Sequence, residues 1–177
     1  MTDAAIFPST YQEAADALAA DPALVPIAGG TDIMVEVNAG QRRVDRWLSL
    51  DQIHDSRSVR ELDTGYRLGA GTTFNQIITE HAYLSSALTQ AARTVGSAQI
   101  RAVATLGGNV ATASPAGDSL PVLACLDTTL RLVSANGERT VALDDFLVGP
   151  KTTLLQPDEL VAAIDIGSTR GNQWFAK

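Results

Sequence analysis

Residues 104–118 read ATLGGNVATASPAGD, in which the adjacent glycines Gly107 and Gly108 stand close to a threonine and an asparagine. Glycine reaches positive φ angles without strain, and it lets a ligand approach the backbone where a Cβ would block the way. We therefore interpret TLGGN as a short turn whose backbone N–H groups can hold an anion. The side chains of Thr105 and Asn109 would add hydrogen-bond donors on either side of the glycines.

A second pair of glycines lies near the N-terminus, in PIAGGTDI at residues 26–33. It follows a short apolar strand and precedes a helical pattern, so free N–H groups and the positive end of the helix would meet at one point. One Gly-Gly pair is weak evidence, because most such pairs are ordinary turns. Two pairs could hold one diphosphate from both sides, through charge-assisted hydrogen bonds of about 1.5–3 kcal/mol each.

The first 50 residues alternate between helical and strand patterns. STYQEAADALAAD predicts a helix, with Thr10 and Glu13 at capping-box spacing. LVPIA and RWLSL predict strands, and TDIMVEVNAG between them predicts a helix that is capped by Gly30 or Thr31 and ends at Gly40. Strands that alternate with helices favour parallel pairing, so this part predicts a small α/β lobe with a short parallel sheet.

The remaining residues combine hairpin patterns with helices. VRELDTGYRLGAG predicts a hairpin with its turn at Thr64-Gly65, and TTLRLVSANGERTVAL predicts another around Asn136-Gly137. Further elements are helices at 73–81, at 84–94 and just after Asp118, a strand in DELVAAIDI and an extended end in WFAK. The predicted fold class is α+β, with an α/β lobe at residues 1–55 and a larger lobe at 56–177 that has a mostly antiparallel sheet and flanking helices.

The stretch GAGTTF, Gly69–Phe74, has the position of a dinucleotide-binding fingerprint, because it follows a strand and precedes a helix. Phe74 stands where the third glycine belongs, and its ring would prevent close packing of the helix on the strand. No acidic residue closes a βαβ unit about 20 residues further on. We interpret GAGTTF as an ordinary strand-to-helix turn.

Composition excludes several classes of function. The net charge of −7, from 13 basic and 20 acidic residues, argues against nucleic acid or an anionic membrane as the main partner. Cys125 is the only cysteine, so the chain cannot form an internal disulfide or a cysteine-bound metal cluster, and the run LPVLACL predicts a buried thiol. Without a signal sequence or a membrane-spanning segment, the expected location is cytoplasmic.

PIAGGTDI and ATLGGNVATASPAGDSLPVLACLD together resemble the FAD-binding medium subunit of the molybdenum hydroxylases, the family of carbon monoxide dehydrogenase and xanthine dehydrogenase. The likeness continues through VGSAQIRAVATLGGN, the ANGERTVALDDF hairpin and ELVAAIDI, and thus covers nearly the whole chain. It implies FAD as the cofactor, bound between the two lobes. It also implies a C-terminal domain that is absent here, so the chain would be a truncated or an unusually short member.

The resemblance further implies which residues hold FAD. The two glycine motifs would clamp the diphosphate, mainly through backbone N–H groups. Asp118 would contact the adenosine part, Val95 and Val161 would pack beside the cofactor, and Lys177 would reach the flavin region. No catalytic side chain and no metal ligand is implied. The residues of the two motifs are Pro26, Ile27, Ala28, Gly29, Gly30, Thr31, Asp32, Ile33, Thr105, Leu106, Gly107, Gly108 and Asn109.

Three charged residues have alternative interpretations. Asp118 could cap the helix that follows it, and this role could coexist with a contact to FAD. Asp32 would repel a phosphate, so we expect its side chain to cap its own helix or to bond back into the loop. Arg101 could steer a phosphate or could be a solvated loop charge.

The function implied by the resemblance is electron transfer within a multi-subunit complex. Electrons would come from a molybdenum-cofactor large subunit through the clusters of an iron–sulfur small subunit, reach FAD on this chain, and leave to NAD, oxygen or another acceptor. The chain would then be an FAD-dependent oxidoreductase component, and the redox chemistry would belong to the flavin. The alternative is a flavin-free scaffold that keeps the fold and docks partner subunits.

Overall fold

Three short parallel strands form the sheet of the N-terminal lobe in the computed structural model, which describes residues 4–168 and 172–177. The strand order is β1-β3-β2, and both pairings are parallel, as predicted. The two-residue strand β1 was not predicted, because its pattern is too short to recognise. In chain order the elements are β1 (Ala5–Ile6), α1 (Tyr11–Ala20), β2 (Val25–Ile27), α2 (Ile33–Asn38) and β3 (Trp47–Ser49).

Helix α1 begins where the sequence predicts. The Thr10 hydroxyl oxygen accepts a hydrogen bond from the Glu13 N–H at 3.1 Å. The reciprocal half of the capping box is absent among the described residues, because the Glu13 carboxylate accepts instead from the N–H and the hydroxyl of Ser9, at 2.8 and 2.7 Å. Ala14 and Leu18 on the buried face of α1 complete a small core.

A five-stranded antiparallel sheet of order β4-β5-β10-β6-β7 forms the larger lobe. Its helices pack on one another and against this sheet, and they enclose the main core. In chain order the elements are β4 (Val59–Leu62), β5 (Gly65–Gly69), α3 (Phe74–Thr79), α4 (Ser86–Thr94), α5 (Ala98–Val103), α6 (Leu106–Thr112), α7 (Ser119–Ala124), β6 (Thr129–Ser134), β7 (Gly137–Ala142), α8 (Leu143–Phe146), β8 (Leu147–Gly149), β9 (Thr152–Thr153) and β10 (Leu160–Gly167).

Both predicted hairpins form, but the turn of each was predicted one residue too late. The pairing of β4 with β5 leaves residues 63–64 as the turn, and the pairing of β6 with β7 leaves residues 135–136. Gly65 and Gly137 therefore begin the second strand of each hairpin, with φ angles of +154° and +125°.

The prediction of a turn at TLGGN is wrong, because these residues begin helix α6. Thr105 has an extended backbone and caps the helix: its hydroxyl oxygen accepts from the Gly108 N–H at 3.1 Å. Neither Gly107 nor Gly108 has a positive φ. Gly107 is needed for a different reason, since a Cβ at this position would collide with the side chain of Ala70.

Residues Gly69–Phe74 form the strand-to-helix connection that the sequence predicts. Thr73 caps α3 in a complete capping box with Gln76. The N–H of Gly71 donates to the carbonyl oxygen of Ser56 at 2.7 Å, so this connection packs closely on the segment before β4.

The prediction of a buried thiol at Cys125 is wrong, because the side chain is exposed. Cys125 follows the last turn of α7, whose buried face is formed by Val122 and Leu123. The apolar run indicates a helix with one buried face, and Cys125 lies outside that face.

The boundary near residue 55 stays a prediction. The first sheet ends at Ser49 and the second begins at Val59, yet α1 also packs against β6 and β10 of the larger sheet. Tyr11 on α1 contacts both cores. Within the described ranges, no helix is long and apolar enough to cross a membrane.

Candidate cofactor-binding site

A cleft of about 630 Å³ opens between the two lobes, and both glycine motifs contribute to its walls. Two apolar residues predicted beside the cofactor, Val95 and Val161, also line it. Three predicted residues do not line the cleft: Leu106, Asp118 and Lys177. Leu106 instead lies in the main core, fully buried. The predicted residues that line the cleft are Pro26, Ile27, Ala28, Gly29, Gly30, Thr31, Asp32, Ile33, Val95, Thr105, Gly107, Gly108, Asn109 and Val161.

The first motif offers free backbone donors to the cleft. Among the described residues, the N–H groups of residues 29–33 donate no hydrogen bond. Gly30 has a φ of +69°, which glycine adopts without strain. A Cβ on Gly29 would collide with the carbonyl group of Val103, so this loop lies directly against the end of α5. The sequence predicted this arrangement correctly as a turn between a strand and a helix.

Asp32 occupies the N-cap position of α2, and the predicted cap by Gly30 or Thr31 is therefore wrong. Its side chain makes no capping hydrogen bond and is exposed. The backbone explains this, because φ and ψ of −101° and −57° are helical, whereas a capping side chain needs an extended backbone. Asp32 thus contributes backbone to the loop and keeps its carboxylate in solvent.

Four of the five backbone N–H groups of the second motif have no capacity left for a ligand. Each of the four N–H groups of residues 106–109 already donates within the chain. Their acceptors, in order, are the Thr72 carbonyl at 2.9 Å, the Ala70 carbonyl at 2.9 Å, the Thr105 hydroxyl at 3.1 Å and the Thr105 carbonyl at 3.0 Å. The prediction of a second N–H clamp is therefore wrong for residues 106–109, although the motif does lie at the cleft.

A ligand at the second motif would therefore meet the exposed backbone of Gly108 and the side chain of Asn109. Gly108 is exposed, and a Cβ there would meet only the Thr105 hydroxyl oxygen within 4 Å. Asn109 is half-buried, and its Oδ1 accepts from the buried Ser119 hydroxyl at 2.7 Å. The Asn109 Nδ2 has no hydrogen-bond partner among the described residues, so it can still donate to a ligand or to water.

Asp118 and Lys177 contact each other. The Lys177 Nζ lies 2.8 Å from Oδ2 of Asp118, and the Thr94 hydroxyl donates to the same oxygen at 2.8 Å. Asp118 precedes α7 but makes no capping hydrogen bond, because its backbone is helical; the capping interpretation is wrong. Contacts of these two residues with FAD stay a prediction.

Arg101 is not a solvated loop charge, and its role in steering a phosphate stays a prediction. Its Nη1 donates to the carbonyl oxygens of Val95 and Gly96, at 3.0 and 2.8 Å. The guanidinium therefore satisfies the orphan carbonyls after α4 and holds Val95 at the cleft wall.

Charged residues that the sequence did not single out also line the cleft. Glu36 on α2 lies 3.4 Å from the Nζ of Lys151 and 3.7 Å from the guanidinium of Arg42. Lys151 belongs to the turn between β8 and β9, so this group spans both lobes. The Gly-Pro pair before Lys151 signals a turn in the sequence, but no local pattern shows that the turn faces α2.

Glu159 is a buried carboxylate at the cleft wall. Two hydrogen bonds join it to Arg139, from Nε to Oε1 at 2.6 Å and from Nη2 to Oε2 at 2.8 Å. These bonds are the main reason that the pKa of Glu159 lies below its ordinary value, and burial opposes them. The pair fixes the start of β10 next to Val161.

These features fit a dinucleotide cofactor. The loop of residues 29–33 presents a row of unpaired N–H groups to a cleft with glycine at the points of close approach, and such a loop is an anion site. The fold and this site define a two-lobed cofactor-binding domain with an α/β lobe and an antiparallel α+β lobe.

The chain belongs to the family described as "FAD binding domain in molybdopterin dehydrogenase", whose model matches residues 2–168. FAD is the cofactor of this family, and the resemblance noted in the sequence is confirmed. Relatives of the chain are named as FAD subunits of dehydrogenases.

Individual relatives agree with this assignment. The chain is 36% identical to the nicotinate dehydrogenase FAD-subunit of Eubacterium barkeri, over 90% of its own length and 56% of the relative's. It is 32% identical to the xanthine dehydrogenase FAD-binding subunit of Escherichia coli O157:H7, over 88% and 54%. The fold matches carbon monoxide dehydrogenase from Hydrogenophaga pseudoflava with a TM-score of 0.89 at 24% identity, over 94% and 59%. The chain thus spans little more than half the length of these relatives.

Proposed function

We propose that the chain holds FAD in the cleft between its lobes as the flavin subunit of a molybdenum hydroxylase complex. The N–H groups of residues 29–33 bind the diphosphate, and Asn109 approaches it from the other side. Val95 and Val161 exclude water from the apolar part of the cofactor. Asp118 binds the adenosine part, and Lys177, whose Nζ lies 2.8 Å from Oδ2 of Asp118, stands at that same end of the site and not at the flavin.

The observation that carries this proposal is the pairing of a donor-rich loop with a cleft. Five consecutive residues, 29–33, line the cleft with N–H groups that have no acceptors in the described part of the chain, and the chain belongs to a family of FAD-binding domains. Free N–H groups in a partly desolvated cleft are costly unless a ligand satisfies them. A diphosphate supplies acceptors for several of them at once.

When bound, FAD supplies the electron-transfer chemistry. Electrons reach it from a molybdenum-cofactor large subunit through an iron–sulfur small subunit, and they leave to NAD, oxygen or another acceptor. The chain's own residues bind and orient the cofactor, and the Arg139–Glu159 pair keeps the cleft wall rigid.

The test is to purify the chain, denature it and identify any released flavin, and then to titrate the flavin-free protein with FAD, FMN and riboflavin. We expect FAD in the released fraction, and FAD binding at least about tenfold tighter than FMN, because FMN lacks the diphosphate. Release of stoichiometric FMN would contradict the proposal. Absence of flavin and of FAD binding would favour the flavin-free scaffold.

Partner subunits require a separate test. The chain is co-expressed with a molybdenum-cofactor large subunit and an iron–sulfur small subunit, and the three are purified through a tag on one of them. We expect a stable complex in which reduced clusters bleach the visible absorption of the flavin. A complex that forms but leaves the flavin oxidised would contradict the electron path.

A further inference from the structure

Asn109 is a side-chain donor that the second motif can offer to the cofactor. The four N–H groups at the start of α6 already have acceptors, whereas Nδ2 of Asn109 has none among the described residues. Asn109 is half-buried at the wall of the cleft. The direction of its amide group therefore determines whether the donor Nδ2 or the acceptor Oδ1 faces a ligand at this wall.

Ser119 fixes that direction. Its hydroxyl donates to Oδ1 of Asn109 at 2.7 Å, and the whole Ser119 side chain is buried at the first position of α7. Because a carboxamide is planar, a fixed Oδ1 also fixes the direction of Nδ2. Gly117 makes room for this arrangement, since a Cβ there would lie 3.2 Å from the same Oδ1.

We propose that Ser119 is a positioning residue for the cofactor, which acts by holding the Asn109 amide with Nδ2 toward the cleft. Ser119 belongs to neither glycine motif and does not line the cleft, so it can influence the cofactor only through a residue that does. The role rests on the proposed function, because it needs FAD in this cleft.

The experiment is a double-mutant cycle in the full chain with Ser119→Ala, Asn109→Ala and the combination of the two. FAD dissociation constants are measured by titration, and thermal unfolding of the flavin-free proteins is measured in parallel. We expect Ser119→Ala to raise the FAD dissociation constant about three- to tenfold, because the Asn109 amide is no longer held, and to lower the unfolding temperature modestly, because one hydrogen bond within the chain is lost. In the Asn109→Ala background the same change should have no further effect. Ser119→Cys, which keeps a weak donor, should restore part of the affinity.

Several outcomes would overturn the role of Ser119. Unchanged FAD affinity in Ser119→Ala would do so. So would a loss of FAD affinity on Ser119→Ala that is equally large in the wild-type and in the Asn109→Ala background. A Ser119→Ala protein that does not fold would assign Ser119 to the stability of the fold instead. Wild-type protein that binds no FAD would refute the proposed function itself, and with it the role of Ser119.

Discussion

The backbone N–H of Gly107 donates to the carbonyl oxygen of Ala70 at 2.9 Å, and this contact joins α6 to the end of β5. A Cβ on Gly107 would collide with the Ala70 side chain and lie 2.7 Å from its carbonyl oxygen. We expect Gly107→Ala to lower the free energy of unfolding by about 1–3 kcal/mol, as overpacking of a close contact does. Chemical denaturation of the flavin-free protein measures this loss, and unchanged stability would contradict the close contact.

The neighbouring glycine should respond differently. A Cβ on Gly108, at the cleft, would lie 2.8 Å from the Thr105 hydroxyl oxygen, so that side chain must shift, and it would meet no other atom within 4 Å. Gly108→Val is therefore expected to leave the protein folded and to weaken FAD binding at least about tenfold, which corresponds to about 1.4 kcal/mol. The cause is displacement of the cofactor, since Gly108 has no positive φ. Normal FAD binding by a folded Gly108→Val protein would place the cofactor away from this motif.

Two glycines with almost the same backbone conformation provide a matched pair for the first motif. Gly30 has a φ of +69° in the loop, and Gly40 has a φ of +70° after α2, with nothing within 4 Å of a Cβ. Alanine at either position should cost about 1 kcal/mol of stability through backbone strain. We expect only Gly30→Ala to weaken FAD binding as well. Equal FAD affinity in the two variants would argue against the loop as the diphosphate site.

The Arg139–Glu159 pair predicts a pH dependence of stability. The pKa of Glu159 is lower in the folded chain than its ordinary value of 4.5, mainly because of the hydrogen bonds from Arg139. The ionised carboxyl therefore stabilises the fold above that value, and the contribution is lost as the pH falls through the lowered pKa.

Glu159→Gln should then be less stable than the wild type by about 1 kcal/mol at pH 7, and the difference should vanish in acid. Unfolding of both proteins between pH 7 and pH 3, a range chosen around the ordinary carboxyl value, checks this. Glu138→Gln, which removes a half-exposed carboxylate beside Arg131, controls for the loss of one negative charge. If the difference in unfolding free energy between Glu159→Gln and the wild type were the same at all pH values, the ionised Glu159 carboxyl would not be what stabilises the fold.

The contributions of Asp118 and Lys177 to FAD binding can be distinguished by comparing variants of the two residues. Asp118 is 11% exposed and Lys177 is 62% exposed, so the ion pair itself contributes little. We expect Asp118→Ala to weaken FAD binding about tenfold through a lost charged hydrogen bond, and Lys177→Met to weaken it less than about threefold. If Lys177→Met costs as much as Asp118→Ala, the lysine itself contacts the cofactor.

Local patterns predicted one half of the site better than the other. The loop of residues 29–33 could be predicted because strand, glycine pair and helix follow one another within a few residues. The start of α6 could not, since glycine disfavours helices and the close approach to Ala70 depends on a partner 37 positions earlier in the numbering. The bond between Asn109 and Ser119 likewise depends on how α6 and α7 pack. The apolar run around Cys125 also does not show which of its residues lie on the buried face of the helix, and Cys125 lies outside that face.

The two halves of the site differ in how much they depend on the cofactor for their hydrogen bonds. The N–H groups of residues 106–109 have acceptors within the chain, so their exchange with solvent deuterium should be slow with or without a ligand. The N–H groups of residues 29–33 gain acceptors only when a ligand arrives, and their exchange should slow upon its addition. One wall of the cleft is thus rigid in advance, and the conformational entropy lost on binding is confined to a single short loop.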